Sequence, residues 1–485
     1  YFFCVIDVLY VVILNLPSVV LNSARSFFSG PKWYPFIGSS RTLTNMSKKY
    51  GSQSKAFIEL ARQHSTNVLG LNDSGELIVV VFGKENLQHV FMEKDFDARP
   101  MNFFAKLRCL GKENMGITFA NGSVWRVHRQ FALKNLKNVG FGKTVMEREI
   151  QNELGLMLYR LKSSDYKPIT LKTILAESVM NVLWKYVAGE RINENKLSHL
   201  LDLFRERSKA FSMAGGLLNQ IPWCRFIIPK MSGYSLINKI NQEISSIIEV
   251  TIINHKNKKV DGNDFIYSFL NEVDRGDASF TEEQLKMVCL DLLIAGSQTT
   301  SNATEFALLR ALKSRDMQEK IQREIDLELG GNIPCWNDNY RLIYTSAFLQ
   351  ECQRYYTIAP VIGPRMVLKD TIIDGFTIPK RTTILMSTQN LHFDQELWGD
   401  PYAFRPERFI DEDGKLKYSE NMHPFGSGRR RCPGDSLARS FIFINFVGIL
   451  QKYEICVSGS VPSDEPITGI LASPPPFYAQ FKLRK

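Results

Sequence analysis

The chain has 485 residues, of which 44% are hydrophobic, 23% charged and 11% aromatic, and this composition excludes a disordered, collagen-like or low-complexity protein. Lys and Arg number 60 against 50 Asp and Glu, which gives a net charge of +10. Because no Lys- or Arg-rich run accompanies this charge, we expect no nucleic-acid partner and favour contact with an acidic protein or an anionic membrane surface.

The first 21 residues, YFFCVIDVLYVVILNLPSVVL, are strongly apolar, although Asp7, Asn15 and Pro17 interrupt them. Because about 20 apolar residues span a bilayer, we predict a membrane anchor and its flank over residues 1–28. The cations that follow the apolar run suit a cytoplasmic flank. A secretory signal peptide and a buried core helix are the alternatives. Since the chain does not begin with Met, we expect the anchor to be incomplete at its N-terminal end.

The rest of the chain shows no internal repeat and no change of composition that would mark a domain boundary. Residues 29–35, SGPKWYP, carry two prolines that stop a helix, which predicts a hinge after the anchor. Length alone suggests roughly three domains of about 150 residues. We instead predict one folded domain over residues 29–485, with the polar stretch 255–264 as a solvated connector inside it.

Periodicity predicts a fold that is mainly α with minor β sheets. The alternating segments 76–82 and 371–379 are typical of strands of small sheets. Helical periodicity dominates elsewhere, and it predicts a long central helix that begins after Thr281 and continues to about Ile325. Thr281 and Gln284 resemble a capping box at the start of this helix.

Eight cysteines are spread along the chain and never form a CxxC pair, which excludes a disulfide scaffold and a zinc site. Seven are expected to be small buried residues in a reducing compartment. The exception is Cys432 in the segment FGSGRRRCPG, residues 425–434. Its glycines allow the backbone to approach a flat, bulky group, and Pro433 suits the first turn of the apolar helix that follows.

A cysteine at a helix N-terminus beside arginines has its thiolate favoured by the macrodipole and by Coulomb attraction. Such a thiolate can be an axial ligand to iron. A buried structural cysteine that precedes a helix is the alternative.

This segment resembles the haem-ligand loop of the cytochromes P-450, the haem-thiolate monooxygenases, whose pattern is Phe-Gly-x-Gly-x-Arg-x-Cys-x-Gly. All six fixed positions match, at Phe425, Gly426, Gly428, Arg430, Cys432 and Gly434. The resemblance implies the family's fold, with a long central helix over the haem and the cysteine loop on the other side. It also implies haem b as the cofactor, Cys432 as the metal ligand and a catalytic domain over residues 29–485.

Further motifs occur in the order of the family. Glu351-x-x-Arg354 places two side chains one helical turn apart, where a surface ion pair is the alternative. The segment Pro-Glu-Arg-Phe implies that Arg408 joins them in a structural triad. Trp125 and Arg129 lie one turn apart on a helix and resemble the pair that holds a haem propionate. A proline-rich entry like that of the family follows the anchor.

Haem propionates are anionic, so arginines and an indole N–H are suitable donors for them. By position, five residues resemble the propionate contacts of the family: Arg99, Trp125, Arg129, Arg365 and Arg430. A solvated or merely structural role is the alternative for each. Arg126 and His128 lie on other faces of the same helix and are expected at the surface.

The stretch AGSQTT at 295–300 resembles the oxygen-binding part of the family's central helix. Glycine inside a helix costs about 1 kcal/mol relative to alanine, which invites a functional explanation. Gly296 is expected to leave room for dioxygen beside Ala295. The Thr299 hydroxyl is expected to bond back to a carbonyl, open the helix locally and hold a water. A small-residue contact between helices is the alternative.

Gln298 stands where the family usually has Asp or Glu. A carboxylate relays protons, whereas an amide only forms hydrogen bonds, so water chains through Thr299 are expected to deliver the protons. We expect a monooxygenase that hydroxylates or epoxidises a lipophilic molecule with O2. A haem-thiolate isomerase or dehydratase that needs no O2, and a haem-based sensor or carrier, are the alternatives.

No GxGxxG motif after a strand and no P-loop is present, so electrons are expected from a separate protein. The resemblance implies NADPH–cytochrome P-450 reductase, with cytochrome b5 as a further partner, at the cytoplasmic face of the endoplasmic reticulum membrane. Arg126, His128, Arg429 and Arg431 are expected to dock the acidic flavoprotein.

Substrate contacts in the family come from the loop before Trp125, the central helix, the segment after Glu351 and a late turn. At these places the chain has Phe103, Phe104, Met115, Ile117, Leu293, Ala295, Ala359, Val361, Ile362, Leu471 and Ala472. Such a lining predicts an apolar pocket, although a core role is the alternative for several of these residues. The sequence resembles arthropod microsomal members in general and does not select a substrate.

Overall fold

The computed structural model describes residues 29–34, 38–73, 75–210, 218, 224–258 and 262–484. The predicted anchor at residues 1–28 therefore lies outside the described residues. Among the helices that are described, none combines the length and the apolar character needed to cross a bilayer.

Most of the described residues are helical, as predicted. The helices are α1 (Ser40–Tyr50), α2 (Gln53–Gln63), α3 (Lys84–Met92), α4 (Phe103–Arg108), α5 (Gly122–Asn138), α6 (Thr144–Ser163), α7 (Lys172–Ala188), α8 (Glu194–Ala210), α9 (Cys224–Ile227), α10 (Tyr234–Lys258), α11 (Phe265–Asp274), α12 (Glu282–Lys313), α13 (Arg315–Glu328), α14 (Ile343–Tyr356), α15 (Thr388–His392), α16 (Gln395–Trp398) and α17 (Asp435–Lys452).

The described strands form one four-stranded sheet and three two-stranded sheets. They are β1 (Val68–Asp73), β2 (Glu76–Val81), β3 (Ile362–Met366), β4 (Thr371–Ile373), β5 (Phe376–Ile378), β6 (Thr383–Met386), β7 (Tyr453–Val457), β8 (Ile467–Thr468), β9 (Ala472–Ser473) and β10 (Ala479–Leu483). The larger sheet has the order β1-β2-β6-β3, with β2 parallel to β6 and the other two pairings antiparallel. The prediction of mainly α structure with small sheets is confirmed.

The two predicted strands differ in their outcome. The segment 76–82 contains β2, as predicted. The segment 371–379 is not one strand but the hairpin of β4 and β5. Asp374 and Gly375 between them have φ values of 49° and 79°, and two left-handed residues are what a tight hairpin turn requires.

The central helix α12 begins where predicted and ends earlier. The Thr281 hydroxyl accepts a hydrogen bond from the Gln284 amide nitrogen at 3.1 Å, as an N-cap does. The Gln284 side chain does not close a capping box, because it is bonded to the backbone of Gly116. The helix stops at Lys313, since Ser314 leaves the helical conformation with ψ at 85°. Gln318 of α13 then donates to one carbonyl of the last turn.

The predicted connector 255–264 is also partly wrong. Helix α10 continues to Lys258, so His255 is helical. Its Nε2 atom lies 3.4 Å from the buried carboxylate of Asp264, which caps α11. Part of this charged stretch is therefore the end of a helix, and His255 and Asp264 within it face inward as an ion pair.

The core brings α12 together with α7 and α17, and α17 also packs on α6. Helix α17 is buried on nearly all its faces, from Leu437 to Leu450. A helix that is apolar all round belongs inside a protein. The cysteine loop ends where α17 begins, so this buried helix fixes the loop against the core.

Candidate functional site

A cavity of about 470 Å³ lies against α12 and the cysteine loop. Residues of α5, α7, α8 and α17 complete its wall. The cysteine loop and residues 295–300 of α12, which carry the strongest sequence motifs, therefore border the same cavity.

The cysteine loop has the close backbone approach that its glycines predict. Gly426 and Gly428 have φ values of 65° and 70°. A Cβ atom at Gly428 would overlap the carbonyl oxygen of Phe91, so only glycine fits. The amide of Cys432 donates to the carbonyl of Phe425 at 2.9 Å, and both residues line the cavity. Gly434 lines it as well, immediately before α17.

Burial opposes the thiolate form that the sequence favours for Cys432. Burial raises the pKa of its thiol, and the nearby Asp435 adds to this shift. The Gly434 amide and two arginines lower the pKa but do not compensate. A coordinated metal deprotonates a thiol outright, so ligation to iron would offset the effect of burial.

The three consecutive arginines of the loop have different roles. Arg429 pairs with Asp97 and Arg431 with Asp435, and both are exposed. Arg430 turns inward, where its Nε and Nη2 atoms donate to the carbonyls of Asp97 and Ala120, each at 2.8 Å. The sequence motif does not distinguish these three side chains, but the fold does.

Arg430 is one of four arginines that converge from separate elements. The other three are Arg99, Arg129 of α5 and Arg365 of β3, and all three repel Arg430 electrostatically. Burial and this mutual repulsion lower the pKa of Arg99, Arg365 and Arg430. Burial also lowers the pKa of Arg129. We call these four residues the arginine cluster.

The arginine cluster and the neighbouring Trp125 contain buried hydrogen-bond donors without a partner. Among the described residues, the buried atoms Trp125 Nε1, Arg365 Nε and Arg430 Nη1 have none. The Arg430 guanidinium also lies 3.8 Å from the centre of the Trp125 ring. An unsatisfied buried donor costs about 1–3 kcal/mol. Excess positive charge and unsatisfied donors together fit an anionic group with several acceptor oxygens.

His128 is not a surface residue, contrary to expectation. It is buried with a relative exposure of 2%, and its ring lies 5.7 Å from Phe269 and 5.0 Å from Phe280. Burial lowers the pKa of its imidazole. Arg126, in contrast, is exposed as expected. His128 is therefore removed from the predicted docking surface.

The structure brings the three predicted triad residues together in the core. Arg354 donates to both carboxylate oxygens of Glu351, at 2.7 and 2.8 Å, and both side chains are fully buried. Arg408 Nε donates to the same carboxylate at 3.1 Å. Asp400 accepts from Arg408 at 3.0 Å. The carboxylate of Glu351 is thus shared by two buried cations, and its bond with Arg354 is not a surface ion pair.

Helix α12 presents Ala295, Gly296, Gln298 and Thr299 to the cavity. The Thr299 hydroxyl donates to the Ala295 carbonyl at 2.8 Å, the bond back to a carbonyl that was expected. The helix nevertheless runs without interruption from Glu282 to Lys313, so the expected local opening is absent from this part of the described chain. The Gln298 amide donates to the Phe204 carbonyl of α8 at 3.4 Å.

Gly296 lines the cavity and also lies against α7. A Cβ atom there would overlap Cδ1 of Leu183 on α7. The glycine therefore permits the close contact of α7 with α12, the small-residue packing that was the alternative interpretation.

Four of the predicted substrate contacts outside α12 line the cavity: Ile117, Ala359, Ile362 and Leu471. The other predicted contacts whose side chains the structure describes do not. Leu293 and Ala472 are core residues, Val361 packs in a separate cluster, and the Phe103 ring lies 6.2 Å from that of Tyr234. Met115 packs against the core, and Phe104 belongs to α4. The cavity is lined instead by the neighbours Leu292 and Ile294 and by Leu183, Val187 and Phe204.

Sequence reasoning missed three charged residues of the cavity wall: Arg108, Arg207 and Asp291. Asp291 interrupts the apolar run LDLLIAG just before the oxygen-binding motif, and this is a signal that could have been used. Arg207 lies among several charged residues of α8, so the sequence offers no comparable signal there.

A cavity lined by a cysteine, several arginines and a long helix is the arrangement expected of a haem-thiolate protein. The model of the cytochrome P450 family matches residues 28–481, so the chain belongs to this family. It is an oxidoreductase of the monooxygenase class, and its cofactor is haem b. The unpartnered donors of the arginine cluster fit the two carboxylates of that cofactor.

Three relatives illustrate the relationship. The chain is 38% identical to "Probable cytochrome P450 305a1" of Drosophila melanogaster, over 100% of this chain and 99% of that protein. It is 33% identical to "Farnesoate epoxidase" of Bombyx mori, over 94% of each. It is 32% identical to "Cytochrome P450 2J1" of Oryctolagus cuniculus, over 93% of this chain and 90% of that protein.

Proposed function

We propose that the protein is a membrane-bound monooxygenase in which Cys432 ligates the haem iron and a lipophilic substrate occupies the cavity. One observation carries this proposal: Cys432 lines the same cavity as Thr299 and three members of the arginine cluster, Arg99, Arg129 and Arg430. The chemistry that haem b supplies when bound is the reductive activation of O2. The residues of the chain would bind the haem, orient the substrate and deliver protons.

The arginine cluster would hold the propionates. The free donor atoms of Trp125, Arg365 and Arg430 supply hydrogen bonds that the protein itself leaves unmade. Charge-assisted bonds of this kind are about twice as strong as neutral ones. Gly434 supplies a backbone hydrogen bond to the Cys432 sulfur, which stabilises a negative charge there.

The ligand assignment is tested with the variant Cys432→Ala. The reduced protein with CO should show the red-shifted Soret band of thiolate ligation in the wild type, and the variant should lose both this band and most of its haem. Cys456→Ala, which changes a half-buried cysteine of β7, is the matched control and should retain both. Normal haem retention in Cys432→Ala would overturn the assignment.

Thr299 is the proposed site of proton delivery. Its hydroxyl donates to Ala295, so its oxygen lone pairs remain able to accept a hydrogen bond from a water in the cavity. The Gln298 amide does not ionise at this place, and α8 restrains it through the Phe204 carbonyl. We expect Gln298→Glu to preserve or raise the coupling of NADPH oxidation to product. Total loss of turnover would show that the amide itself is required.

An acidic flavoprotein, NADPH–cytochrome P-450 reductase, is the proposed electron donor, with cytochrome b5 as a further partner. Arg126, Lys134 and Lys137 lie exposed on α5, and Arg429 and Arg431 are exposed in the loop. Arg129 bonds to the carbonyl of Arg431, so this helix and this loop are neighbours. Lys134→Glu should raise the KM for the reductase, and the difference should shrink at high salt.

The endoplasmic reticulum membrane, with the body on the cytoplasmic face, is the proposed location. Besides the anchor predicted at residues 1–28, three apolar side chains protrude around α9. Phe226, Ile227 and Met231 are 75%, 70% and 81% exposed. Replacing all three by serine should weaken flotation of the protein with phospholipid vesicles. Unchanged flotation would leave the anchor as the sole contact.

Hydroxylation or epoxidation of a lipophilic molecule is the proposed reaction. The wall contributed by Leu183, Val187, Phe204, Leu292 and Ile294 is apolar. Similarity over most of the chain to a farnesoate epoxidase supports a substrate with an extended apolar part. Product formation that requires substrate, O2, NADPH and reductase together would test the reaction class.

A further inference from the structure

A short hairpin made of β8 and β9 contributes its tip to the cavity wall. Each of its strands has two residues, and the strands pair at two positions. Ile470 and Leu471 lie at the tip, and both line the cavity. Because an isolated hairpin is at best marginally stable in water, bonds to other elements must hold this tip in place.

The C-terminal arm of the hairpin is bonded to α12 and to the segment after α14. The Asn302 side chain of α12 donates to the carbonyl of Ala472 at 3.0 Å. The amide of Ala472 donates to the carbonyl of Ile358 at 2.9 Å. Asn302 follows Thr299 by three residues on the same helix. This arm is therefore fixed directly to the helix that carries the proposed site of proton delivery.

The N-terminal arm is held through one carboxylate, that of Asp464, which lies three residues before β8. Asp464 accepts hydrogen bonds from the Tyr356 hydroxyl of α14 at 2.9 Å and from Arg310 Nη1 of α12 at 3.4 Å. It also accepts from Lys313 Nζ of α12. We call these four residues the Asp464 cluster. The cluster connects the chain before the hairpin to two core helices.

The Asp464 cluster is largely shielded from water. The side chains of Asp464, Arg310 and Lys313 are 18%, 19% and 21% exposed. Burial acts to raise the pKa of Asp464, but the hydrogen bonds from Lys313 and Tyr356 outweigh it and lower the pKa. The ring centres of Tyr356 and Phe306 lie 4.2 Å apart in a stacked pair, which restrains the hydroxyl group. Charged bonds in such surroundings hold a geometry more firmly than bonds in water do.

We propose that Asp464 is a positioning residue, whose bonds to α12 and α14 set how far the hairpin tip reaches into the cavity and thereby limit ligand size. Arg310 follows Asn302 by eight residues, so the two attachments to α12 are separated by about 12 Å along the helix. A hairpin held at two separated points resists rotation as well as displacement. The inference rests on the proposed function, because a ligand beside the haem would meet the tip.

Hydrogen exchange of the purified holoprotein, followed by mass spectrometry of the peptide 466–474, tests whether Asp464 holds the hairpin. Asp464→Asn keeps the size of the side chain and removes its charge. Local opening should therefore become about tenfold more frequent, since hydrogen bonds to a charged group are weakened. Exchange of this peptide at the wild-type rate would overturn the inference. Faster exchange spread evenly over the chain would indicate global destabilisation and would also contradict a local role.

Glu465→Gln is the matched control in the adjacent residue. Glu465 pairs with Lys55 of α2, and its side chain is 74% exposed. Because an exposed ion pair contributes little, exchange of the peptide 466–474 should stay within about twofold of the wild type. An effect as large as that of Asp464→Asn would show that any charge removed from this loop loosens the hairpin, which would contradict the specific role of Asp464.

Ligand size provides the second readout. Imidazole and 1-tritylimidazole both bind haem iron through a ring nitrogen, and titration of the Soret band gives their dissociation constants. The small ligand does not need to move the tip, whereas the bulky one has to displace it. In Asp464→Asn the affinity for 1-tritylimidazole relative to imidazole should rise about 3- to 10-fold, because the displaced tip is more populated. An unchanged ratio beside faster exchange would contradict the limit on ligand size.

Tyr356→Phe supplies a second variant in case Asp464→Asn does not fold. It removes one hydrogen bond to Asp464 and keeps the ring that stacks on Phe306. Both readouts should move in the same direction by a smaller factor, and wild-type values in both would contradict the role of the cluster. Asp464→Glu retains the charge and should restore part of the protection.

Neither readout needs reductase, NADPH or O2, so this inference and the proposed function fail separately. Faster exchange and a changed ratio without any oxygenated product would contradict the function and leave the role of Asp464. Wild-type exchange and an unchanged ratio in a variant that forms product would contradict that role and leave the function.

Discussion

The triad and the arginine cluster are two groups of charges with opposite properties. In the triad, Glu351 receives four hydrogen bonds, from Arg354, Arg405 and Arg408, so the cations of the core are matched. In the arginine cluster, the ion pair that the described residues contain is that of Arg365 with Asp97 at 3.5 Å, and the buried donors Arg365 Nε and Arg430 Nη1 have no partner there. A group that serves the fold is complete in the protein alone, whereas a group that serves a ligand is left incomplete.

The largest expected effect comes from a substitution in the triad, whose charges have their partners within the protein. Glu351→Ala leaves Arg354 and Arg408 buried without their shared carboxylate, which should lower the free energy of unfolding by about 3–5 kcal/mol. Urea unfolding followed by far-UV circular dichroism measures this loss. Glu407→Gln breaks an exposed pair with Lys320 and should cost about 0–1 kcal/mol. Similar values for the two variants would show that water reaches the triad.

The stability of the apoprotein should respond in the opposite way to a substitution in the arginine cluster. Arg430→Leu removes an uncompensated cation and an orphaned donor, so the apoprotein should be as stable as the wild type or more stable. Haem affinity should fall about 10- to 100-fold, because a charge-assisted hydrogen bond to the cofactor is lost. Haem transfer to an excess of apomyoglobin measures this affinity.

Arg429→Leu is the matched control in the same loop, because Arg429 faces Asp97 at the surface. Its haem affinity should stay within about threefold of the wild type. If Arg430→Leu destabilised the apoprotein as strongly as Glu351→Ala does, the distinction between the triad and the arginine cluster would be contradicted.

Trp125→Phe sharpens the comparison at a single atom. The variant keeps an aromatic ring under Arg430 but removes the buried Nε1–H that has no partner. We expect haem transfer to become about fivefold faster, while the apoprotein gains up to about 1 kcal/mol in unfolding free energy. A less stable apoprotein would indicate that this N–H has a partner in solution.

Sequence reasoning predicted the local geometry correctly where the residues involved are consecutive or one helical turn apart. The loop 425–434 carries its own turns and its cysteine, and Glu351 and Arg354 are one helical turn apart on α14. It failed where partners come from distant elements. His128 is buried by Phe269 and Phe280 of a segment more than a hundred residues away, and local periodicity does not contain that information.

The same reason explains the missed charges of the cavity. Arg207 contacts the carbonyl of Arg108, which is separated from it by 99 residues. The motif draws attention to Gly296, but it does not reveal that a side chain there would collide with Leu183 on α7. Motifs identify which residues carry the chemistry, whereas the fold decides what each side chain touches.

The smallest expected effect concerns the largely buried pair of His255 and Asp264, which belongs to neither group. The bond to Asp264 raises the pKa of His255 above its usual value, so protonation stabilises the folded state. This contribution is complete below about pH 6.5 and is lost as the pH rises through the higher folded pKa. His255→Gln should therefore cost about 0–1 kcal/mol at about pH 5.5 and close to nothing at about pH 8.5. Urea unfolding at the two pH values measures the difference. A cost that grows with pH would show that the neutral imidazole makes the stabilising contact, with Asp264 as its acceptor.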